Sequence, residues 1–368
     1  MKFLKFFFPV MLLAGFASSC ESSTEEPTPA PVGNVTLAAV PETITIGEAV
    51  TFVVECEGMD VTAASKIYLR SPELPEVTNP YTPSEDGEFE FYAVYGSAVT
   101  GRVKVTVLPV VPELPADAQP ENTAFNHRVL LVDHTGTQCG YCPKMMAALK
   151  TVSETLDYHS KYYEAMSHTY NSSDPAYSSA AQGVSSHYGI TGYPTLSYNF
   201  RHNRSSSYDA TDIMAQIDAL WKADGAQAGI AAATNLAATK VIVNVSVKAA
   251  VEGEYAIAAW LLEDGIEGKQ SGATEDWMSI HNNAIRQWAV SAENSNDISG
   301  IKLGTIAAGK SAEAVIELPI SSNKWNRDNL KVMLIASTPN QNNKFDAVNV
   351  TICEINDVVT FDYLNREE

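Results

Sequence analysis

One stretch constrains the fold more than any other: a strand, a close cysteine pair and a helix in immediate succession. Val129-Leu130-Leu131-Val132 is an unbroken apolar run, the pattern of a central strand covered on both faces. Cys139-Gly140-Tyr141-Cys142 follows, and then Met145, Leu149, Val152 and Leu156 recur four, three and four residues apart, which predicts a helix with one apolar stripe. A disulfide exchanges by thiolate attack, so exchange chemistry needs one exposed cysteine of lowered pKa and a second close enough to resolve the mixed disulfide. Two intervening residues at a helix start meet both needs. The free N–H groups and the helix dipole favour the thiolate at Cys139, and one helical turn brings Cys142 within bonding reach. The same spacing opens many structural zinc motifs, yet no second pair exists, and His134 or His168 would have to complete a four-ligand site. No metal and no cofactor is expected.

The five cysteines are Cys20, Cys56, Cys139, Cys142 and Cys353, and a single close pair does not make a disulfide framework even in an exported chain. Cys56 follows the run Val50-Thr51-Phe52-Val53-Val54, and Cys353 comes just after Val348, Val350 and Ile352. Both read as strand cysteines behaving as small hydrophobes.

Export is read from the first residues. Lys2 and Lys5 precede an apolar run, Phe6 to Phe16, that is too short to span a bilayer, so residues 1–19 read as a signal peptide. Ala17-Ser18-Ser19-Cys20 resembles a lipobox, which implies acylation of Cys20 and an anchor in the outer membrane. The usual Leu three places before the cysteine is absent, and ordinary secretion with a free Cys20 is the alternative. Residues 20–33 are acidic, polar and Pro-rich and cannot bury enough apolar surface to fold, so they form a tether. This acidic stretch also resembles the surface-export signal of Bacteroidetes lipoproteins, and equally suits a solvated spacer. Acidic residues outnumber basic ones 44 to 24 without a Lys/Arg cluster in the mature chain, which excludes nucleic acid and anionic headgroups as natural partners.

Three folded segments are expected. Residues 34–108 carry short strand-like runs (43–46, 50–54, 89–95 and 103–107) punctuated by Gly47, Gly58, Gly87 and Gly96, the pattern of a small immunoglobulin-like β-sandwich. Residues 109–122 are a Pro-rich linker. Residues 123–225 alternate strands and helices. Tyr162 to Met166 and Thr195 to Phe200 read as strands, Asp174-Pro175 as a helix start, and Ile213, Ile217, Leu220 and Trp221 as one helical face beginning near Asp209 or Thr211 and stopping before Gly225. Residues 226–368 return to strands and form a second sandwich with one helical-looking insert, Trp277 to Trp288. The expected class is multidomain α+β, with a central α/β domain between two β-sandwich domains.

The central segment resembles the thioredoxin superfamily at three separated places. Cys139-Gly140-Tyr141-Cys142 carries the Gly-Tyr dipeptide of periplasmic disulfide isomerases. Asp133, six residues before Cys139, matches the buried Asp that handles the resolving cysteine's proton, and the segment Tyr188 to Leu196 matches the one bearing a cis-proline, here Tyr193-Pro194. Gln138 stands where an aromatic residue is usual, and Pro143 follows the second cysteine with Lys144 after it. With the leader and the motif His281-Asn282-Asn283-Ala284-Ile285-Arg286, residues 123 to 363 also resemble the twenty-eight-kilodalton outer-membrane-protein family of Bacteroidetes lipoproteins.

The resemblance implies a thioredoxin-like central domain and thiol-disulfide exchange with extracytoplasmic protein thiols or disulfides in the cell envelope. Cys139 would attack, Cys142 resolve, Asp133 move the proton and Pro194 shape a groove lined by Gly140, Tyr141, Tyr193 and Thr195. Read from the residues alone, Asp133 equally suits a structural pairing with His127 or Lys144. The alternative for the whole chain is a surface binding or adhesion lipoprotein that keeps the fold as scaffold.

Overall fold

A computed structural model describes residues 33–289, 297–342 and 344–364, without the side chains of His202 and Asn203. Cys20, the signal peptide and the tether up to residue 32 lie outside the described residues. The protein is mostly β-sheet with few helices. It divides into two compact units. One comprises residues 33–42, 50–81 and 89–105, and the other residues 43–49, 82–88 and those from 106 onward.

The first unit is sandwich-like. The strand Val35–Val40 pairs antiparallel with Thr51–Cys56, and Lys66–Leu69 pairs antiparallel with the stretch from Phe91 to Val94. Alternate residues of these strands, Phe52, Val54, Ile67, Phe91 and Ala93, turn inward to make its core, with the Phe52 and Phe91 rings 4.7 Å apart. Cys56 is a buried free thiol in this core, as its strand context predicts.

The second unit begins with β1 (Val129–Thr135), α1 (Cys142–Glu154), β2 (Tyr162–His168), α2 (Ser179–His187), β3 (Thr195–Tyr198), β4 (Arg201–Ser205) and α3 (Ala210–Leu220). Every residue of β1 is buried, as its continuous apolar run requires. β1 lies between β2, which is parallel to it, and β3, which is antiparallel. Helices α1 and α3 cover one face through Met145, Leu149, Val152, Ile213 and Ile217, and α2 lies on the other through Ala181 and Val184.

Then follow β5 (Ala228–Leu236), β6 (Lys240–Ala249), β7 (Gly253–Glu263), β8 (Ala284–Trp288), β9 (Ile301–Ile306), β10 (Ser311–Pro319), β11 (Leu330–Pro339) and β12 (Phe345–Glu354). β10, β6 and β5 form a sheet with Val358–Val359. Its apolar side, with Val241, Val243 and Val245, packs on Ile257, Leu261, Val332 and Leu334 of β7 and β11. That second layer does not end there. One nine-stranded sheet runs in the order β4-β3-β1-β2-β8-β7-β11-β12, with β9 pairing to β7.

The sequence places a domain boundary between residues 225 and 226, whereas the sheet continues across it. The strand that joins the two halves is β8, and it lies where a helix is expected. Asp276–Ser279 is only a 3-10 turn, Ile280–His281 and Ala284–Trp288 are strands, and Asn283 between them has φ 56°. The reason is that β2, buried and parallel to β1, would otherwise present open N–H and C=O groups along its edge. β8 covers that edge: Met166 N donates to Asn283 O at 2.8 Å, and Met166 and Ala284 are register partners. Arg286 on β8 forms a buried ion pair with Glu263 of β7, Nε to Oε2 at 2.6 Å, and its Nη1 donates to Pro175 O at 3.1 Å.

Two helix ends also differ from expectation. α1 stops at Glu154, so Leu156, counted into its stripe, is 80% exposed. α2 starts at Ser179 with Ser178 as N-cap, whereas the start expected at Asp174 is only a turn, in which Asp174 Oδ1 accepts from Ala176 N and Asp174 O from Tyr177 N. Of the two starts expected for α3, the structure has Asp209 as the N-cap. Cys353 is buried on β12.

All five tryptophans, Trp221, Trp260, Trp277, Trp288 and Trp325, belong to the second unit, so tryptophan fluorescence reports on it selectively. In a urea titration read this way the unit is expected to unfold in one transition. Arg286→Ala should cost about 3–5 kcal/mol because it strands the buried Glu263 carboxylate. Two resolved transitions, one for each half, would contradict the single-unit architecture.

Candidate functional site

The end of β1 and the start of α1 are joined by a tight turn that carries the cysteine pair. Cys139 N donates to Gly136 O and Cys142 N to Cys139 O, at 3.0 and 3.3 Å, and α1 starts at Cys142 with Pro143 in its first turn, where a missing N–H costs nothing. Cys139 and Cys142 form a disulfide with Cα atoms 5.4 Å apart. Gly140 and Tyr141 lie exposed on the turn, and Lys144 stands 5.3 Å from the centre of the Tyr141 ring. The Tyr193-Pro194 bond is cis, and Pro194 is buried. Because Thr195 is the register partner of His134, this proline lies at the end of the sheet from which the cysteine turn departs. Tyr193 hydroxyl donates to Thr169 O at 3.2 Å, and Thr195 hydroxyl donates to Gly192 O at 2.8 Å, so the Thr195 hydroxyl serves its own bend.

Cys139 is not the exposed thiol that exchange chemistry suggests: only 2% of the residue is accessible. A segment between β7 and β8 covers it. Ser271 N donates to Thr137 O at 2.7 Å, and the Gln270 side-chain amide donates to Cys139 O and Gly136 O at 3.0 and 3.3 Å. Gly272 passes so close, at φ 74°, that a Cβ there would stand 2.7 Å from Gly140 O. The Gln270 contacts span 131 and 134 positions in the chain, and nothing in the local pattern around Gln270 announces them.

From its other side the turn is held by Asp174. Its Oδ2 accepts from Thr137 N at 2.6 Å and pairs with His168 Nδ1 at 3.1 Å, while Oδ1 accepts from Ala176 N at 2.8 Å. Burial alone would raise this carboxyl, but the His168 bond and the two backbone donors prevail and hold it down at about 2. The His168 ring meets the His281 ring edge-on at 4.8 Å, and His281 Nε2 bonds Gly268 O at 3.0 Å. His281 is thus a strut beside the turn.

Asp133 is completely buried on the α1 face of β1 and pairs with neither His127 nor Lys144. Neither of its oxygens has a hydrogen-bond partner. Burial first, and the charge of Glu164 on β2 second, push its pKa well above the usual carboxylate range. Sequence reading missed Glu164, since an acid inside a half-alternating strand looks like a solvent-facing one. On the opposite face, His134 bonds Ser185 and Ser197 hydroxyls through its two ring nitrogens, both at 2.8 Å, and burial lowers its pKa to about 3. Among the described residues no group of three or more His, Cys, Asp or Glu is arranged to hold a metal ion.

No protein-family model matches the sequence, and a search of curated proteins returns no match. Among solved structures the chain is similar to HBP35 of Porphyromonas gingivalis, with TM-score 0.53 at 17% identity over 63% of this chain and 76% of that one. At that identity the likeness speaks for a shared fold alone. A DUF4785 family protein from Legionella pneumophila (8% identity, 89% of this chain and 55% of that one) has TM-score 0.16. Domains 4–9 of the surface layer protein SbsC (11% identity, 89% and 48%) have TM-score 0.17. Overlaps this loose carry no argument.

Two outcomes follow for the site. Gly272→Ala, which sets a methyl against Gly140 O, should lift the covering segment and speed reduction of the Cys139–Cys142 disulfide by a water-soluble phosphine several-fold. An unchanged rate would mean that the segment does not limit access. His134 is neutral when folded, so its burial penalises the folded state increasingly as pH falls from about 6.5 towards about 3. His134→Asn should therefore lose stability most at pH 7 and converge on wild type at lower pH in urea titrations, and a pH-independent gap would contradict the neutral assignment.

Proposed function

We propose that the protein is a cell-envelope lipoprotein whose residues 123–225 act as a thioredoxin-like thiol-disulfide exchange domain, reductase or isomerase, on extracytoplasmic proteins. The observation that carries the reading is the Cys139–Cys142 disulfide at the head of α1, directly after a fully buried strand that holds Asp133. Pro194 at the same end of the sheet, and the order of the three motifs along the chain, support it.

In the exchange cycle the reduced Cys139 thiolate attacks a substrate disulfide. A Cys139–substrate bond forms, the substrate S–S bond breaks, and one substrate sulfur leaves with the electron pair. Cys142 then gives up its proton, with Asp133 as acceptor, and attacks Cys139 Sγ. The internal disulfide closes and the second substrate thiolate departs, so two electrons have passed from protein to substrate. A thiol or dithiol reductant of the envelope restores the pair. Acylation of Cys20 would tether the protein to the outer membrane, on its periplasmic or outer face, in a bacterium of the Bacteroidetes group.

A second reading, a surface binding or adhesion protein with the α/β half as scaffold, is favoured by one observation: Cys139 is covered by Gln270–Gly272. Trapping separates the two. Cys142→Ser should accumulate mixed disulfides between Cys139 and envelope proteins, Cys139→Ser should accumulate none, and wild type should reduce insulin. If neither variant traps a partner and wild type neither reduces nor isomerises a test disulfide, the binding reading replaces exchange.

A further inference from the structure

The α1 face of the sheet carries more unsatisfied polarity than a core of this kind tolerates. Leu131, Tyr162, Leu196 and Tyr198 pack there against Met145 and Leu149 of α1 and Ile213 and Ile217 of α3. Asp133 lies two residues beyond Leu131, and Glu164 two beyond Tyr162, so strand alternation turns both carboxylates to this same face. Leu131 is the register partner of both Glu164 on β2 and Tyr198 on β3, which sets Asp133 one pleat further along, diagonal to both. Both Asp133 oxygens, Glu164 Oε1 and the Tyr198 hydroxyl are sealed from solvent without a hydrogen-bond partner. Cys142, fully buried, occupies the first position of the stripe that continues through Met145 and Leu149, so the resolving sulfur heads the helix that covers these groups.

The two acids are not equivalent. Asp133 is wholly buried, whereas Glu164 keeps part of its surface exposed while its Oε1 is sealed. A proton that Asp133 takes from Cys142 needs a way out, and Glu164 is the ionisable neighbour that touches both the sealed cluster and solvent. We propose that Glu164 is a positioning and relay residue for the exchange reaction, passing protons between solvent and Asp133 so that Cys142 can be deprotonated and reprotonated. The inference rests on the exchange reading above. Two carboxylates so close in a poor solvent do not both ionise readily, so the pair holds a proton near neutrality and titrates in two coupled steps. Burial raises Glu164 to about 7, where a relay works best.

The other ionisable groups near the pair do not supply this route. Tyr162 and Tyr198 are pushed up by burial and stay protonated. His168, further along β2, is bonded to Asp174. Lys144, Lys150 and Glu154 of α1 and Asp212 and Asp218 of α3 are exposed on the outer sides of their helices.

The reaction separates the steps. Reduced full-length protein mixed with an aromatic disulfide that releases a coloured thiolate gives one burst when Cys139 attacks and a second when Cys142 resolves. Glu164→Gln should leave the first burst unchanged, slow the second by about tenfold or more at pH 7, and reduce its pH profile from two inflections to one. Glu164→Leu serves as a second variant should the amide disturb folding, and Glu164→Asp should recover part of the rate. A second burst with wild-type rate and inflections in Glu164→Gln or Glu164→Leu overturns the relay while leaving exchange intact. Absence of both bursts in wild type overturns exchange, and the relay with it.

Discussion

The structure of the second unit depends on one strand finding one edge. β2 carries one side of the cysteine-bearing half and has a fully hydrogen-bonded neighbour only in β1. Its other edge is closed by β8, a strand of only five residues that returns from the C-terminal half and is held by the buried Arg286–Glu263 pair. Ser178 hydroxyl donates to Ile285 O at 2.6 Å and Trp288 Nε1 to Ala180 O at 3.1 Å, so the same strand fixes the first turn of α2. Each charge of that buried pair would be costly alone, which fixes β8 against β7 within the C-terminal half, and the Arg286 Nη1 bond to Pro175 O carries the same side chain across to the other half.

That closure also explains the site. The chain leaves β7 on one side of the seam and must come back to β8, and the intervening segment passes over the cysteine turn. Gln270 and Ser271 satisfy backbone groups at Gly136, Thr137 and Cys139 that water or a bound chain would otherwise meet, and Gly272 packs against Gly140. Asp174 holds the turn from the other side. The disulfide is thus set in a frame made by both halves of the unit, and the C-terminal half belongs to the site as much as the half that carries the cysteines.

Parts of this were legible in the sequence. The all-apolar run Val129 to Val132 marks a central strand, the Met145-Leu149-Val152 stripe marks α1, and the Asp209 cap marks α3, because each signal is local and its partner is a generic apolar surface. Cys139, Cys142, Asp133 and Pro194 were recognisable through spacing and motif, and the structure places them at one end of one sheet or directly beneath it. Glu164 was not, since the strand period tells which side a residue faces but not whether that side is buried. Gln270 and Gly272 were not, since a glutamine and a glycine in a polar loop have no distinguishing pattern. Trp277 to Trp288 was misread because its apolar spacing suits a helix, and only the open edge of β2 makes a strand the better solution.

By itself, then, the sequence determined where strands and helices with a continuous apolar run or stripe must form, and that two cysteines stand one helical turn apart. Those outcomes follow from backbone geometry and burial within a few residues. Tertiary structure alone decided that the expected third domain shares a sheet with the second, that Cys139 is covered and that Glu164 joins Asp133 under α1. Each of these rests on hydrogen bonds or burial between segments scores of residues apart, and such pairings are chosen by competition among open edges and unsatisfied polar groups across the whole unit.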